Sequence, residues 1–351
     1  MEQVKEFGIG FENLDAKGFV ACARLAEELG FGTFWVPEDY FYRGAFTLAS
    51  AIASHTASLR VGIGVVNPYT RHPVLTAMEL GALEEVSGGR VLLGLGASAK
   101  IWIESQLRIP YVKPAAAMRE SVEIIRRLFR GERLSYNGCV FQTSNVRLNF
   151  QPPRSEVPIH LGVMGPKNLE LAGEIADGLL LSVMSSPAYV RYAMEQVRRG
   201  AERAGRSLEG FEVGVYLTVS ISEDEQAARE AVKPFVATWI ALIGNHPMLT
   251  CTGLPPEEIR LFTETFARGE IPTARVTDWM IDTFAIAGSP QRCREGLAKI
   301  IEAGVTSPVP FEVPGVSAEK TIRDVHSHLM PYFLADQAAR HGRSKEALEQ
   351  P

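Results

Sequence analysis

Two acids and one glycine loop are the residues whose placement could do chemistry. Glu38 and Asp39 directly follow the apolar run Thr33–Pro37, so both carboxylates stand where a strand gives way to a loop. A carboxylate held there can store or move a proton at the mouth of an α/β domain. A helix cap or a surface turn would use the same two residues, and the pattern alone leaves both readings open. The second feature lies in the stretch 158–182, which reads as strand, loop, helix and strand. Gly162 and Gly165 bracket the turn, Pro166 suits a first helical position, and Gly178 is read as the helix stop. A glycine loop feeding a helix exposes peptide N–H groups and the positive end of the helix dipole, which suits a phosphate. An ordinary connection between helix and strand could carry the same glycines.

The remaining reactive side chains give weaker signals. His72 precedes Pro73 and reads as loop packing, while His160 lies inside a strand and could face the core or the helix layer. His326 and His328 are two apart on a terminal helix and so sit on different faces, which argues against a metal pair. The four cysteines (Cys22, Cys139, Cys251, Cys293) are far apart and have neither zinc nor redox spacing. Cys22 and Cys293 fall among apolar helical neighbours and are expected as buried thiols, as in a reducing cytoplasmic compartment. No His-Glu-x-x-His, phosphate-binding Walker loop or Gly-x-Ser-x-Gly is present, and no metal is expected. The run 94–99 lacks the third glycine of a dinucleotide fingerprint.

The elements that must hold these residues repeat regularly. Strands are expected at 7–11, 33–37, 60–66 and 90–96, with helices at 14–29, 46–55 and 74–86 between them. A helix follows at 114–129. Residues 131–150 break the rhythm, and Asn137-Gly138 between β-type residues signals an inserted hairpin. Strands at 159–161 and 179–181, a helix at 187–204 and a strand at 211–221 resume the alternation. The mostly helical segment 223–283 is too long for a crossover and is read as an insertion; core packing is the readier reading for most of its Trp239, Phe262, Phe266 and Trp279. A strand within 305–313 and a helix at 317–333 close the pattern, and a charged tail at 336–351 is expected to fray. Eight strands alternating with helices make an α/β (β/α)8 TIM barrel the best architecture, spanning 1–335 as one domain, with a doubly wound sheet as runner-up. Barrel sites lie at the C-terminal ends of the strands. That rule selects Glu38 and Asp39, the segments 64–67, 96–100, 162–165 and 182–186, and Phe11, Glu12, Phe311 and Glu312.

Bulk properties narrow the partners. The chain has 351 residues, 46% of them apolar, and a formal net charge of −5. An acidic balance argues against nucleic acid. No run of eighteen apolar residues free of charges or breakers suggests a membrane span, and the first residues lack a signal-peptide pattern.

The motifs together resemble the bacterial luciferase-like superfamily over about residues 7–333. The resemblance rests on Asn67-Pro-Tyr-Thr-Arg-His-Pro73, on the stretches 84–90 and 94–96, and on 162–178. The last looks closer to the branch of methylenetetrahydromethanopterin reductase and its relatives that use the deazaflavin coenzyme F420. This resemblance implies a TIM barrel with a flavin-type ring at its mouth. It implies a non-proline cis peptide at Gly64–Val65, with Gly64, Val65 and Val66 bulging against the ring and Asn67, Ala97 and Ser98 flanking it. Gly162, Val163, Met164 and Gly165 would hold the phosphate through N–H groups. Asp39, with Glu38 beside it, matches an acid near the redox carbon. Some relatives carry a histidine after that acid where this chain has Tyr40, which counts against an alcohol or sugar-phosphate substrate. The implied activity is F420-dependent hydride exchange with a small organic substrate. An FMN-dependent monooxygenase fed by a partner flavin reductase is the alternative, and a non-catalytic flavin-binding barrel the second. A homodimer or higher homo-oligomer is also implied.

Overall fold

The protein is described from a computed structural model, which covers residues 4–39, 41–311 and 313–334. Tyr40, Glu312 and the tail expected at 336–351 lie outside the described residues. Parallel strands alternate with helices in the (β/α)8 TIM-barrel class, in place of the doubly wound alternative. By contact density the chain divides into two units, one of residues 9–182 with 191–215, the other of residues 1–8, 183–190 and 216–351. Among the described residues no helix is long and apolar enough to cross a membrane.

The first unit carries β1 (Gly8–Gly10), β2 (Thr33–Val36), β3 (Arg60–Val66), β4 (Val91–Leu95), β5 (Ile159–Leu161), β6 (Gly178–Leu181) and the first half of β7 (Glu212–Ile221). Each of β2, β4, β5 and β6 is buried along its whole length, as strands covered on both faces must be. The parallel ladder pairs Val61 with Val91 and Ile63 with Leu93, then resumes with Val66 opposite Leu95. Three steps on β3 match two on β4, so β3 carries one extra residue at its C-terminal end, a bulge of the kind that re-aims a side chain. The peptide Gly64–Val65 within it is cis.

Inside this unit a polar layer crosses the lower half of the strands. His160 is 1% exposed, 6.0 Å from the Trp35 ring, and its Nε2 lies 3.7 Å from the Glu212 carboxylate, which Arg60 also holds at 3.2 Å. His160 therefore faces the interior of the strands. Gly178, opposite it in the ladder, corrects the expected helix stop: the helix Pro166–Ile175 ends through Ala176 in extended backbone, and Gly178 is the first residue of β6. Any Cβ at 178 would stand 2.5 Å from His160 Nε2. The glycine is there to admit the imidazole.

The hairpin is present as Leu134–Asn137 paired antiparallel with Gln142–Val146. Its connection runs from Gly138 to Phe141, longer than the two-residue turn that Asn-Gly suggests, because Glu120 organises it. The Glu120 carboxylate accepts the N–H groups of Cys139, Val140 and Phe141 and the Cys139 thiol, at 2.8 to 3.1 Å. Burial pushes the Glu120 pKa up, but these four donors outweigh it and hold the carboxyl below its usual range.

The stretch 84–90 fastens the N-terminal ends of the strands. Glu84 is fully buried and takes a two-pronged contact from Arg154. Arg90 donates to the carbonyls of Ala53, Thr56, Leu59 and Ser87, tying the helix Ala45–His55 to the starts of β3 and β4. Such a position serves stability, since barrel chemistry sits at the opposite strand ends.

The second unit holds the rest of β7, the short strand Ile286–Gly288 paired with Val219–Ile221, β8 (Ser307–Phe311), and the helices of the insertion. Asp224 caps Glu225–Ile243, Thr277 caps Asp278–Phe284 and Ser289 caps Pro290–Glu302. Arg229 is 7% exposed and bridges Asp278 and Asp282, and Asp282 also binds Arg292. Of the four aromatics expected mainly as core, Phe262 is fully buried, Trp239 and Phe266 are half-buried, and Trp279 is exposed. The last helix is broken into Ala318–His328 and Met330–Phe333, because Pro331 cannot donate an N–H to continue it. All four cysteines are free, with Cys22 and Cys293 buried and Cys139 and Cys251 exposed.

Candidate active site

The C-terminal ends of β2 to β5 bring the expected residues to one side of the first unit. The bulge on β3 is the centre of the arrangement. Val65 presses its side chain into a notch made by three glycines. A Cβ at Gly94, Gly96 or Gly162 would stand 3.0, 2.7 and 2.6 Å from its methyl carbons. Gly94, Gly96 and Gly162 thus all leave room for Val65, and Gly94 also admits the Ile63 carbonyl, 2.5 Å from where its Cβ would stand.

Asn67 is 3% exposed and turns the chain away from the bulge. Its Oδ1 accepts the N–H groups of Tyr69 and Thr70 at 2.9 Å, and its Nδ2 donates to the Thr70 hydroxyl. This is an Asx turn closed on itself. Those amide atoms shape the loop, so what Asn67 offers a bound ring is contact and position.

Ala97 and Ser98 follow β4. Ala97 is 8% exposed. Ser98 adopts φ +62°, in the left-handed region, and the Tyr111 hydroxyl donates to its carbonyl at 3.2 Å. The Ser98 Oγ is buried and has no partner among the described residues. A buried hydroxyl of that kind calls for a ligand or water to complete it. Tyr111 stacks at 4.9 Å on Tyr69, whose hydroxyl donates to the Val112 carbonyl, and burial pushes both phenol pKa values up. Between them the chain makes one turn of π-helix, Ile101–Gln106, a form that recurs at functional sites. Glu104 lies on it with its side chain paired to Lys100 at 3.0 Å, a solvated pair.

The loop 162–165 departs from the sequence reading in one respect. The Gly162 N–H is spent in the strand ladder, donating to Leu95 O at 2.9 Å, so Gly162 gives space to Val65 and no amide to an anion. Neither Gly162 nor Gly165 has positive φ. The N–H groups of Val163, Gly165 and Lys167 donate to no protein acceptor among the described residues. They stand in or just ahead of the first turn of the ten-residue helix Pro166–Ile175. Met164 is 40% exposed beside them.

At the end of β2, Glu38 and Asp39 take different environments. The Asp39 carboxylate makes no hydrogen bond or ion pair with a described residue, and it lines a shallow recess with Glu12, Pro37, Tyr42 and Arg43. Glu38 is largely buried. Its Oε1 accepts from Arg71 Nη2 at 2.9 Å, and its Oε2 has no partner among the described residues. Burial raises the Glu38 pKa, Arg71 opposes the rise, and nearby Glu79 adds to it. Arg71 was not legible as a site residue, although it lies in the Asn67–Pro73 motif. His72 is a helix cap, its Nδ1 accepting the Val74 N–H, and burial lowers its pKa.

Several known proteins share this arrangement of elements. The chain is 35% identical over 315 residues to 5,10-methylenetetrahydromethanopterin reductase of Archaeoglobus fulgidus, covering 88% of this chain and 93% of that protein. It is 34% identical over 322 residues to the enzyme of the same name from Methanolobus tindarius, covering 90% and 97%. Among solved structures, the coenzyme F420-dependent tetrahydromethanopterin reductase of Methanopyrus kandleri superposes with a TM-score of 0.87 at 30% identity, over 94% of this chain and 99% of that one. A secondary alcohol dehydrogenase bound to an F420–acetone adduct gives 0.73 at 18% identity, over 93% and 98%, a likeness of fold. The luciferase-like monooxygenase family matches residues 8–307. With the bulged third strand, the glycine notch and the helix after β5 in place, the chain belongs to the luciferase-like monooxygenase family.

Proposed function

We propose that this oxidoreductase transfers hydride between coenzyme F420 and a small organic substrate bearing an iminium-like carbon, the methylene group of a reduced pterin being the model. The reading is carried by the β3 bulge, whose Val65 sits in the glycine notch with unpartnered polar groups on either side. These residues suit a flat ring with an anionic tail. Bound there, the deazaflavin supplies the hydride chemistry. Gly64, Val65 and Val66 form the shelf beneath the ring. Asn67, locked in its own turn, and Ala97 flank it. The bare Ser98 hydroxyl has hydrogen-bonding capacity to give to the cofactor. The open amides of Val163, Gly165 and Lys167, at the positive end of a helix, suit a phosphate. Asp39, the unpaired carboxylate at the mouth, holds or releases a proton, and Glu38 stands behind it.

A second copy of this chain is part of the proposal. The helix Pro73–Ser87 leaves Leu75, Met78, Ala82 and Val86 exposed along one stripe, although its other side is already buried. A helix apolar all round is ordinarily covered all round.

Titration of the purified protein with F420 and with FMN, followed by turnover in air with oxygen uptake recorded, tests the reading. Saturable F420 binding, and reduction of the substrate by the reduced form without oxygen uptake, is the expected result. Preferential binding of FMN with oxygen consumption would replace the proposal with the monooxygenase alternative.

A further inference from the structure

The environment of Glu38 carries an inference beyond the site residues named so far. Arg71 is held on three sides. One arm of its guanidinium contacts the Glu79 carboxylate, the other binds Glu38 Oε1 at 2.9 Å, and its Cζ lies 4.8 Å from the centroid of the Phe46 ring. Phe46 belongs to the helix Ala45–His55 and Glu79 to the helix Pro73–Ser87, so two helices fix the position of a loop side chain. The result at Glu38 is lopsided. One oxygen is committed, and the other is buried without a partner among the described residues. A purely structural Arg–carboxylate pair tends to engage both oxygens in a parallel fork. Here the fork is divided between two acids, and Arg71 Nε, also buried, is left bare.

We propose that Arg71 is a positioning residue of the active site, dividing its guanidinium between Glu79 and Glu38 so that one oxygen of Glu38, next to Asp39 in the chain, stays uncommitted. Glu79 is part of the device, because it takes the Nη1 arm of Arg71 and leaves Glu38 the Nη2 arm. Among the described residues, Arg71 and Glu79 are the charged groups that act on Glu38. Burial is the main cause that raises the Glu38 pKa, Arg71 opposes it and Glu79 adds to it, so a divided Arg71 offsets the burial less than a full partner would. This inference rests on the proposed hydride-transfer function only for the use to which the proton is put; the arrangement itself can be read without turnover.

Carbon-13 NMR of protein labelled at glutamate carboxyls, with Glu38→Gln to assign the signal, follows the Glu38 titration directly. Glu79→Gln leaves Arg71 to Glu38 alone and is expected to lower the Glu38 midpoint, by roughly one pH unit. Arg71→Lys keeps a charge but loses the divided fork, and is expected to raise the midpoint. The pH profile of F420-linked hydride transfer should move with the titration in both variants. A Glu38 midpoint that stays put in Glu79→Gln and in Arg71→Lys, both shown folded by their melting curves, overturns the proposal. Midpoints that move as expected in a protein without F420-linked turnover support the arrangement and remove the functional reading instead.

Discussion

The side chain of Val65 occupies the space that a methyl group on Gly162 would need, at 2.6 Å. The end of β5 and the bulge of β3 therefore share one volume. Gly162→Ala is expected to push Val65 off its position, at a cost to stability of about 1–3 kcal/mol from overpacking. Cofactor affinity should fall by more than the same substitution at Gly165, where an added Cβ meets nothing within 4 Å. Titration of both variants with F420 compares them, and equal affinities would show that the notch has no bearing on binding.

Asp39→Asn keeps the shape of the mouth and removes the carboxylate. Hydride transfer measured in a single turnover is expected to slow by about 10²–10⁴, the range of a positioned acid or base. F420 affinity should stay near that of the parent. A rate unchanged by the substitution would move the proton-handling role elsewhere.

Glu120 governs the hairpin turn. Glu120→Ala strands the N–H groups of Val140 and Phe141 and should cost at least about 1–3 kcal/mol, read from urea unfolding at neutral pH. The folded pKa of Glu120 lies below its unfolded value, which is about 4.3 for a free glutamate. Its contribution is therefore complete above the unfolded value and lost as pH falls through the folded one. The gap between parent and Glu120→Ala should accordingly narrow in acid.

Arg154→Met removes the cation that faces Glu84 and leaves a fully buried carboxylate with only the Val91 N–H beside it. About 3–5 kcal/mol should be lost, as for other broken buried pairs. The double variant Arg154→Met, Glu84→Met should recover much of that loss. Failure of the double variant to exceed the single one in melting temperature would mean that Arg154 acts through packing alone.

The alternation of apolar strands and amphipathic helices was legible because burial on both faces leaves a plain mark in composition. Residues 60–66, 114–129 and 159–161 have the bounds expected of them. Tertiary reasons for a residue type were not legible. Gly178 looks like a helix stop in sequence, yet it is a strand residue that admits the His160 ring. Gly162 looks like an amide donor, yet its N–H belongs to Leu95. Arg71 and Tyr111 gave no local signal at all, since each acts on a residue distant in sequence, Glu38 and the Ser98 carbonyl. The cis peptide at Gly64–Val65 was reached through family resemblance, because no propensity points to it.

The extra residue on β3 has a consequence for engineering. Ile63 stands opposite Leu93 and Val66 opposite Leu95, so the bulge absorbs the inserted residue and the chain beyond it stays in register. Excising Val65 would restore an even ladder against β4, with Val66 still opposite Leu95, and empty the glycine notch. The barrel strands on either side would keep their pairings. A one-residue deletion is therefore the cleanest way to make a folded blank of this protein, one that retains the scaffold and has lost its shelf.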